Sequence, residues 1–235
     1  MCIRDRLCDK PSGLLCHSDE SGEQNTLIEQ VKSYLFRKGE YIPENEASFA
    51  PALCNRIDRN TAGIVIAAKN AKTLRVMNDK IKRRAVEKYY LLAVHGRMEK
   101  SSGKLSGYIV KDAKNNKVEV FDTLPRGKHN AKSVVTEYKV VGRGELGDIL
   151  EARLVTGRTH QIRAQFSHAG HPLVGDGKYA VNRDDRKLGF SSQELYSYKL
   201  VFLPDEPSFL DYLTGREFVR KTDDFPFSAC LYKTK

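Results

Sequence analysis

An α+β domain with a mixed, mostly antiparallel central sheet, flanked by helices and loops, is the fold class the sequence predicts, and three observations predict it. Strand-like apolar runs outnumber helical stripes; Gly, Asn and Pro turns separate those runs; and few connections follow a strict βαβ alternation. A chain of 235 residues can form one large domain or two small ones, and a single domain over 1–235 is expected. Hydrophobic residues at 40% and charged residues at 30% describe an ordinary globular protein. No apolar run approaches the roughly 20 residues that span a bilayer, and the start has no secretory core, so neither membrane insertion nor export is expected. Five cysteines, odd in number and without a C-x-x-C pair, suit a reducing cytoplasm rather than a disulfide framework or a zinc cluster. Forty basic against thirty acidic residues leave a net charge of +10, which attracts polyanions such as nucleic acid or simply keeps the protein soluble.

Each element follows in order. Residues 1–6 show no strand or helix period and are read as a non-native or truncated start. Lys10-Pro11-Ser12-Gly13 is a turn, followed by a short strand at 14–17. Residues 26–38 predict a helix: Thr26 and Glu29 make a capping box, Leu27, Ile28, Val31 and Leu35 form a stripe, and Gly39 stops it. A polar loop, 39–50, leads to Asn55-Arg56-Ile57-Asp58-Arg59-Asn60-Thr61-Ala62-Gly63 and then to a buried strand at 64–68. Asn70 caps a second helix with Leu74, Met77 and Ile81 on one face and a basic end at Lys80, Lys82, Arg83 and Arg84, a placement that also suits the helix dipole. Strands are expected at 87–95, 108–111, 118–121, 133–141 and 149–154, with a hairpin tip at 111–117 and a basic, mobile loop at 126–132. A loop at 156–158 opens a short helix over 159–169, ended by Gly170, and a late strand spans 194–202.

Three constellations carry chemistry. Asp58 lies between two arginines at the mouth of an apolar strand, with Thr61-Ala62-Gly63 to fix its direction. An Asp between arginines is commonly a surface ion pair, but a carboxylate kept ionised by a nearby cation is also a competent nucleophile. In Gly157-Arg158-Thr159-His160-Gln161-Ile162-Arg163, a helix beginning at Thr159 offers free N–H groups, and Arg158, His160 and Gln161 can surround a phosphate. Arg163, one turn on, can point inward and pair with an acid. Tyr89 and Tyr90 alternate on a strand, so one faces the core, and a tyrosine facing a cleft can stack on a base. His160, His168 and His171 have no zinc-site spacing and no metal is expected. Neither a Walker-type loop nor a G-x-G-x-x-G loop is expected, and with them neither ATP nor a dinucleotide.

Together these stretches resemble the RluA-type family of pseudouridine synthases, over nearly the whole chain from Lys10 to about Phe218. The family's His-Arg-Leu-Asp-x-x-Thr-Ser-Gly is similar to residues 55–63, its Lys-x-Tyr to Lys88-Tyr89-Tyr90, and its Thr-Gly-Arg-x-His-Gln-Ile-Arg to Thr156 through Arg163, with Pro172, Gly175-Asp176 and Tyr179 after it. The resemblance implies that Asp58 is the nucleophile, that Tyr90 stacks on the target uracil and assists the proton step at C5, and that Arg163 pairs with Asp58. It implies that Arg56 holds the flipped nucleotide; Arg59, Thr61, Arg158, Thr159, His160 and Gln161 are counted with it as RNA-contacting. It implies isomerisation of uridine to pseudouridine without cofactor or metal, by attack at C1′, attack on the base or assisted elimination. The loop at 126–132 falls where the family has a mobile RNA-gripping loop.

Asn55 and Ala62 depart from the commoner His and Ser, and the Asn-Arg-x-Asp-Arg-Asn-Thr form resembles the branch acting on large-subunit (23S) ribosomal RNA. No S4-like RNA-binding domain is expected upstream. The expectation is therefore a cytoplasmic monomeric enzyme acting on ribosomal RNA. Its rivals are the same chemistry on transfer RNA and a catalytically silent RNA-binding or assembly factor.

Overall fold

The computed structural model describes residues 5–19, 22–45, 49–112, 115–223 and 225–227. Residues 1–4 of the expected non-native start, and 113–114 of the expected hairpin tip, lie outside the described residues. In chain order the strands are β1 (Asp5–Lys10), β2 (Ala52–Leu53), β3 (Ala62–Ala68), β4 (Val86–Ala93), β5 (Ser102–Asp112), β6 (Lys117–Phe121), β7 (Lys132–Arg143), β8 (Asp148–Leu154), β9 (Leu195–Phe202) and β10 (Glu217–Val219). The helices are α1 (Leu27–Arg37), α2 (Ala71–Lys82), α3 (Gln161–His168) and α4 (Arg183–Lys187). The class is α+β, with mostly antiparallel strands and few helices, as the sequence predicts.

The chain divides into two compact units, Met1–Glu87 with Lys199–Arg220, and Lys88–Tyr198 with Lys221–Lys235. Strands β4 and β9 each contribute residues to both.

In the first unit β3 is buried at every residue, as its Ala-Gly-Ile-Val-Ile-Ala-Ala sequence requires. Ile64 and Ile66 of β3 join Met77 of α2, Val86, Leu200, Phe202, Leu210 and Leu213 in one core. β1 pairs antiparallel with β3, with Cys8 opposite Val65 and Lys10 opposite Gly63. Residues 5 and 6, read as part of a start without strand period, belong to β1; Asp-Arg-Leu-Cys-Asp-Lys carries no apolar run, and the edge of β3 imposes its conformation. The strand expected at 14–17 is reduced to a single bridge, Leu15 to Thr26.

The predicted capping box of α1 does not form. Thr26 makes no side-chain cap bond, and the N–H groups of Leu27 and Ile28 donate to the carbonyls of Leu15 and Cys16. Asn70 does cap α2, its Oδ1 accepting from Thr73 N–H at 2.9 Å. The inward face of α2 is centred on Thr73, Met77 and Lys80, with Leu74 and Ile81 only half-buried. Its basic end is tied to an acidic loop: Arg83 forks onto Asp205 at 3.0 and 2.8 Å, and buried Lys80 lies 3.6 Å from the same carboxylate.

In the second unit the strand order is β4-β8-β7-β5-β6, antiparallel throughout. Tyr90, Ala152 and Tyr138 stand side by side across β4, β8 and β7 and so share a face. On that face Tyr138 meets the fully buried Phe166 of α3 edge-on, with ring centroids 5.8 Å apart. Leu91, next to Tyr90 and therefore on the opposite face, packs with Ile149, Tyr198, Phe225 and Phe227. Alternation thus decides the tyrosines: Tyr90 lies under the α3 side, and Tyr89 packs against the Leu91 cluster.

Candidate active site

In the first unit the loop before β3 is fixed by backbone contacts. Lys10 is completely buried, and its ammonium donates to the carbonyls of Pro11, Leu14 and Arg59 at 2.9, 2.7 and 2.8 Å. Gly13 N–H also donates to Arg59 O at 3.0 Å, and Ser12 Oγ donates to Asn60 O at 3.0 Å. The Lys-Pro-Ser-Gly turn therefore clamps both residues that follow Asp58. Asn55 Oδ1 accepts from Ile66 N–H at 2.8 Å and fastens the other side of the loop to β3. Asp58 is half-buried between these clamps, and its carbonyl accepts from Thr61 N–H at 3.1 Å. Burial pushes the Lys10 ammonium down to about 8, against the opposing pull of the Cys16 and Asp58 charges.

The neighbouring candidates separate into exposed and interior groups. Arg56 is exposed beside the segment that carries Cys16 and His17. Arg59 is exposed but engaged, with Nε donating to Gly13 O at 3.0 Å and Nη2 paired with Glu23 at 2.8 Å. Thr61 is buried, so the structure places it in the turn rather than on a surface.

In the second unit α3 starts at Gln161, two residues later than the sequence predicts, because His160 takes the left-handed conformation (φ 53°). Gln161 is buried and its amide is fully used. Oε1 accepts from Thr156 Oγ1 and Arg158 N–H, and Nε2 donates to Val135 O and Thr136 Oγ1. It staples the helix to β7 rather than facing an anion. Arg158 and Thr159 remain exposed before it. His160 Nδ1 and Tyr179 Oη share a 2.9 Å hydrogen bond, and Val118 N–H donates to the same hydroxyl at 2.9 Å.

Arg163, third residue of α3, is 6% exposed. Its Nε and Nη2 donate to the two carboxylate oxygens of Asp176 at 2.7 and 2.9 Å, and its guanidinium lies 5.3 Å from the Tyr179 ring centroid. Asp176 is completely buried and also accepts from the N–H groups of Lys178 and Tyr179. Burial pushes its carboxyl up, but the Arg163 hydrogen bond and charge and these two N–H groups outweigh it, so the net shift is downward. Sequence reasoning quoted Lys10 and Asp176 inside motifs but gave neither a role. The available signal was physical: an Arg that a helix turns inward needs a carboxylate.

The three histidines are engaged separately, His160 with Tyr179, His168 with Asp122 and His171 with the His95 carbonyl. No cluster of three potential metal ligands occurs among the described residues. Contrary to the expectation that the chain holds no G-x-G-x-x-G string, residues 142–147, Gly-Arg-Gly-Glu-Leu-Gly, match it letter by letter. They form the turn between antiparallel β7 and β8 and open no helix, so the phosphate-binding geometry is missing. A groove of about 330 Å³ lies at the far end of α3, lined by Lys104, Ser106, Asp122 and His168 among others, and none of the candidate residues lines it. No helix among the described residues is long and apolar enough to cross a membrane.

Comparison with known proteins places these features in one family. Residues 6–168 match the model of the family described as RNA pseudouridylate synthase. The chain is 29% identical over 206 residues to the ribosomal large subunit pseudouridine synthase D of Borreliella burgdorferi, covering 88% of this chain and 60% of that one. It is 32% identical over 210 residues to an uncharacterized RNA pseudouridine synthase of Mycoplasma genitalium, covering 88% of this chain and 63% of the relative. The chain therefore spans less than two thirds of these relatives' lengths. Among solved structures, human RNA pseudouridylate synthase domain containing 4 shares the fold with a TM-score of 0.74 at 20% identity, over 97% of this chain and 89% of that one.

Proposed function

Because this chain belongs to the RNA pseudouridylate synthase family, we propose that it isomerises uridine to pseudouridine in structured RNA, and in large-subunit ribosomal RNA in particular. The observation that carries the reading is the family match over residues 6–168, a span that holds Asp58, Tyr90 and Arg163 together. Relatives named for the large ribosomal subunit support the choice of RNA.

The chemistry needs no redox step. The N1–C1′ bond of the uridine breaks, the uracil turns, and a C5–C1′ bond forms; the C5 proton leaves and N1 takes one up. Asp58 is the nucleophile, on a loop whose following residues are clamped by Lys10 and Ser12. Rigid placement of a reacting group lowers the entropic part of a barrier. Tyr90 stacks on the uracil and handles the C5 proton, and Arg163 supplies the counter-charge. Arg56 and Arg158, both exposed, hold the phosphates of the flipped strand. A net charge of +10 favours the encounter with RNA. No cofactor enters this scheme, and the protein acts as a cytoplasmic monomer.

Tritium release from RNA labelled at uridine C5 tests the reading, with large-subunit ribosomal RNA and transfer RNA transcripts compared. Release from the ribosomal RNA alone is expected. Release confined to transfer RNA would overturn the choice of substrate, and no release from any RNA that the protein binds would favour a silent binding factor.

A further inference from the structure

We infer that Asp176 is a positioning residue for the reaction, setting the direction in which Arg163 presents its charge; the inference rests on the functional reading above. An arginine on a helix has four side-chain torsions, and its cation is useful only if one edge faces the chemistry. Here the Nε–Nη2 edge is taken by both oxygens of Asp176 at 2.7 and 2.9 Å, which turns Nη1 to the opposite side. Tyr179 lies against the guanidinium, 5.3 Å from its carbon to the ring centroid, and is itself held by Val118 N–H and His160.

The corner that carries Asp176 is itself locked. Gly175 has φ +77°, and a Cβ there would come within 2.1 Å of Ser192 O. Its N–H donates to Asp185 Oδ2 at 2.7 Å and its carbonyl accepts from Asn182 Nδ2 at 3.0 Å. Asp185 is also hydrogen-bonded to His95 Nε2 at 3.0 Å, which orients the carboxylate. A segment after α3 thus fixes Gly175, Gly175 fixes Asp176, and Asp176 fixes the fork. Such a chain of restraints is more than burial of one charge requires; it specifies a direction. Asp176 acts in this scheme only through Arg163.

The test is Asp176→Asn in the full chain, assayed by C5 tritium release. Asn keeps an acceptor for Lys178 and Tyr179 N–H but sets an amide NH₂ against one guanidinium donor, so the fork opens. The expected result is a fall in kcat of about 100-fold, the scale of a misplacement near 1 Å, with KM for RNA within about twofold. Asp205→Asn, which loosens the Lys80 and Arg83 pairs far along the sequence, is the structural control and should lower Tm while leaving kcat unchanged. If Asp176→Asn does not fold, Arg163→Lys, which keeps the charge and loses the fork, should show the same kcat loss. A folded Asp176→Asn or Arg163→Lys protein with kcat within threefold of wild type overturns the inference alone. A wild type that releases no tritium from any RNA overturns the functional reading and this inference with it.

Discussion

Replacing Lys10 by Met tests how the Asp58 loop is held, because Met keeps the length and apolar stem and removes only the ammonium. The three carbonyls at 2.7 to 2.9 Å each accept a charge-assisted bond. At about 1.5–2 kcal/mol apiece these contribute about 5 kcal/mol. Burial opposes them, pushing the ammonium from 10.5 down to about 8, and offsets part of this gain. The balance predicts that Lys10→Met loses about 2 kcal/mol at pH 7, or roughly 4–8 °C in Tm. The pH dependence has a definite sign. The folded pKa lies below the unfolded one, so from about 8 to 10.5 the unfolded chain binds the extra proton and stability rises with pH. The wild type should therefore gain about 2 kcal/mol over Lys10→Met between pH 7 and 9.5. Urea unfolding followed by circular dichroism at the two pH values measures both quantities. A Met variant as stable as wild type at pH 7, or a gap that narrows as pH rises, would refute the reasoning.

Three further substitutions probe other joints. Gly175→Ala must place a Cβ 2.1 Å from Ser192 O in a left-handed conformation and should cost at least about 2 kcal/mol; an unchanged Tm would mean that this corner is not rigid. Gln161→Leu abandons four hydrogen bonds in the interior and should cost about 3 kcal/mol while leaving RNA affinity of the folded protein intact. Loss of affinity at full stability would instead make Gln161 an anion ligand. Arg158→Ala is exposed and should change stability by less than about 0.5 kcal/mol. It should also lower the salt dependence of RNA binding, by about 0.7–0.9 in the slope of log K against log salt, as measured by filter binding.

The parts of the fold that local sequence controls were legible. The five apolar residues 64–68 announce a buried strand, which begins two residues earlier at Ala62, and Gly39, with φ +66°, ends α1 where expected. Asn70 caps α2 as its position predicts. What distant residues decide was not legible. β1 is a strand because β3 offers an edge, and α1 is capped by the carbonyls of Leu15 and Cys16 rather than by Thr26. The site divides in the same way. Motif order pointed to Asp58, Tyr90 and Arg163, and alternation along β4 settles which tyrosine lies on the α3 face. The partners that hold them, Lys10 for the loop and Asp176 for the arginine, depend on contacts 49 and 13 residues apart that no local pattern encodes. Gln161, grouped with the anion ligands on the expectation that the helix begins at Thr159, is turned inward by the left-handed His160.

The central claim is that Asp58 is the nucleophile, and Asp58→Asn tests it most directly because the amide is nearly isosteric and leaves the Lys10 clamp in place. Tritium release from C5-labelled large-subunit ribosomal RNA should fall to background in the variant while its affinity for that RNA and its Tm stay close to wild type. Release at the wild-type rate from Asp58→Asn would contradict the account.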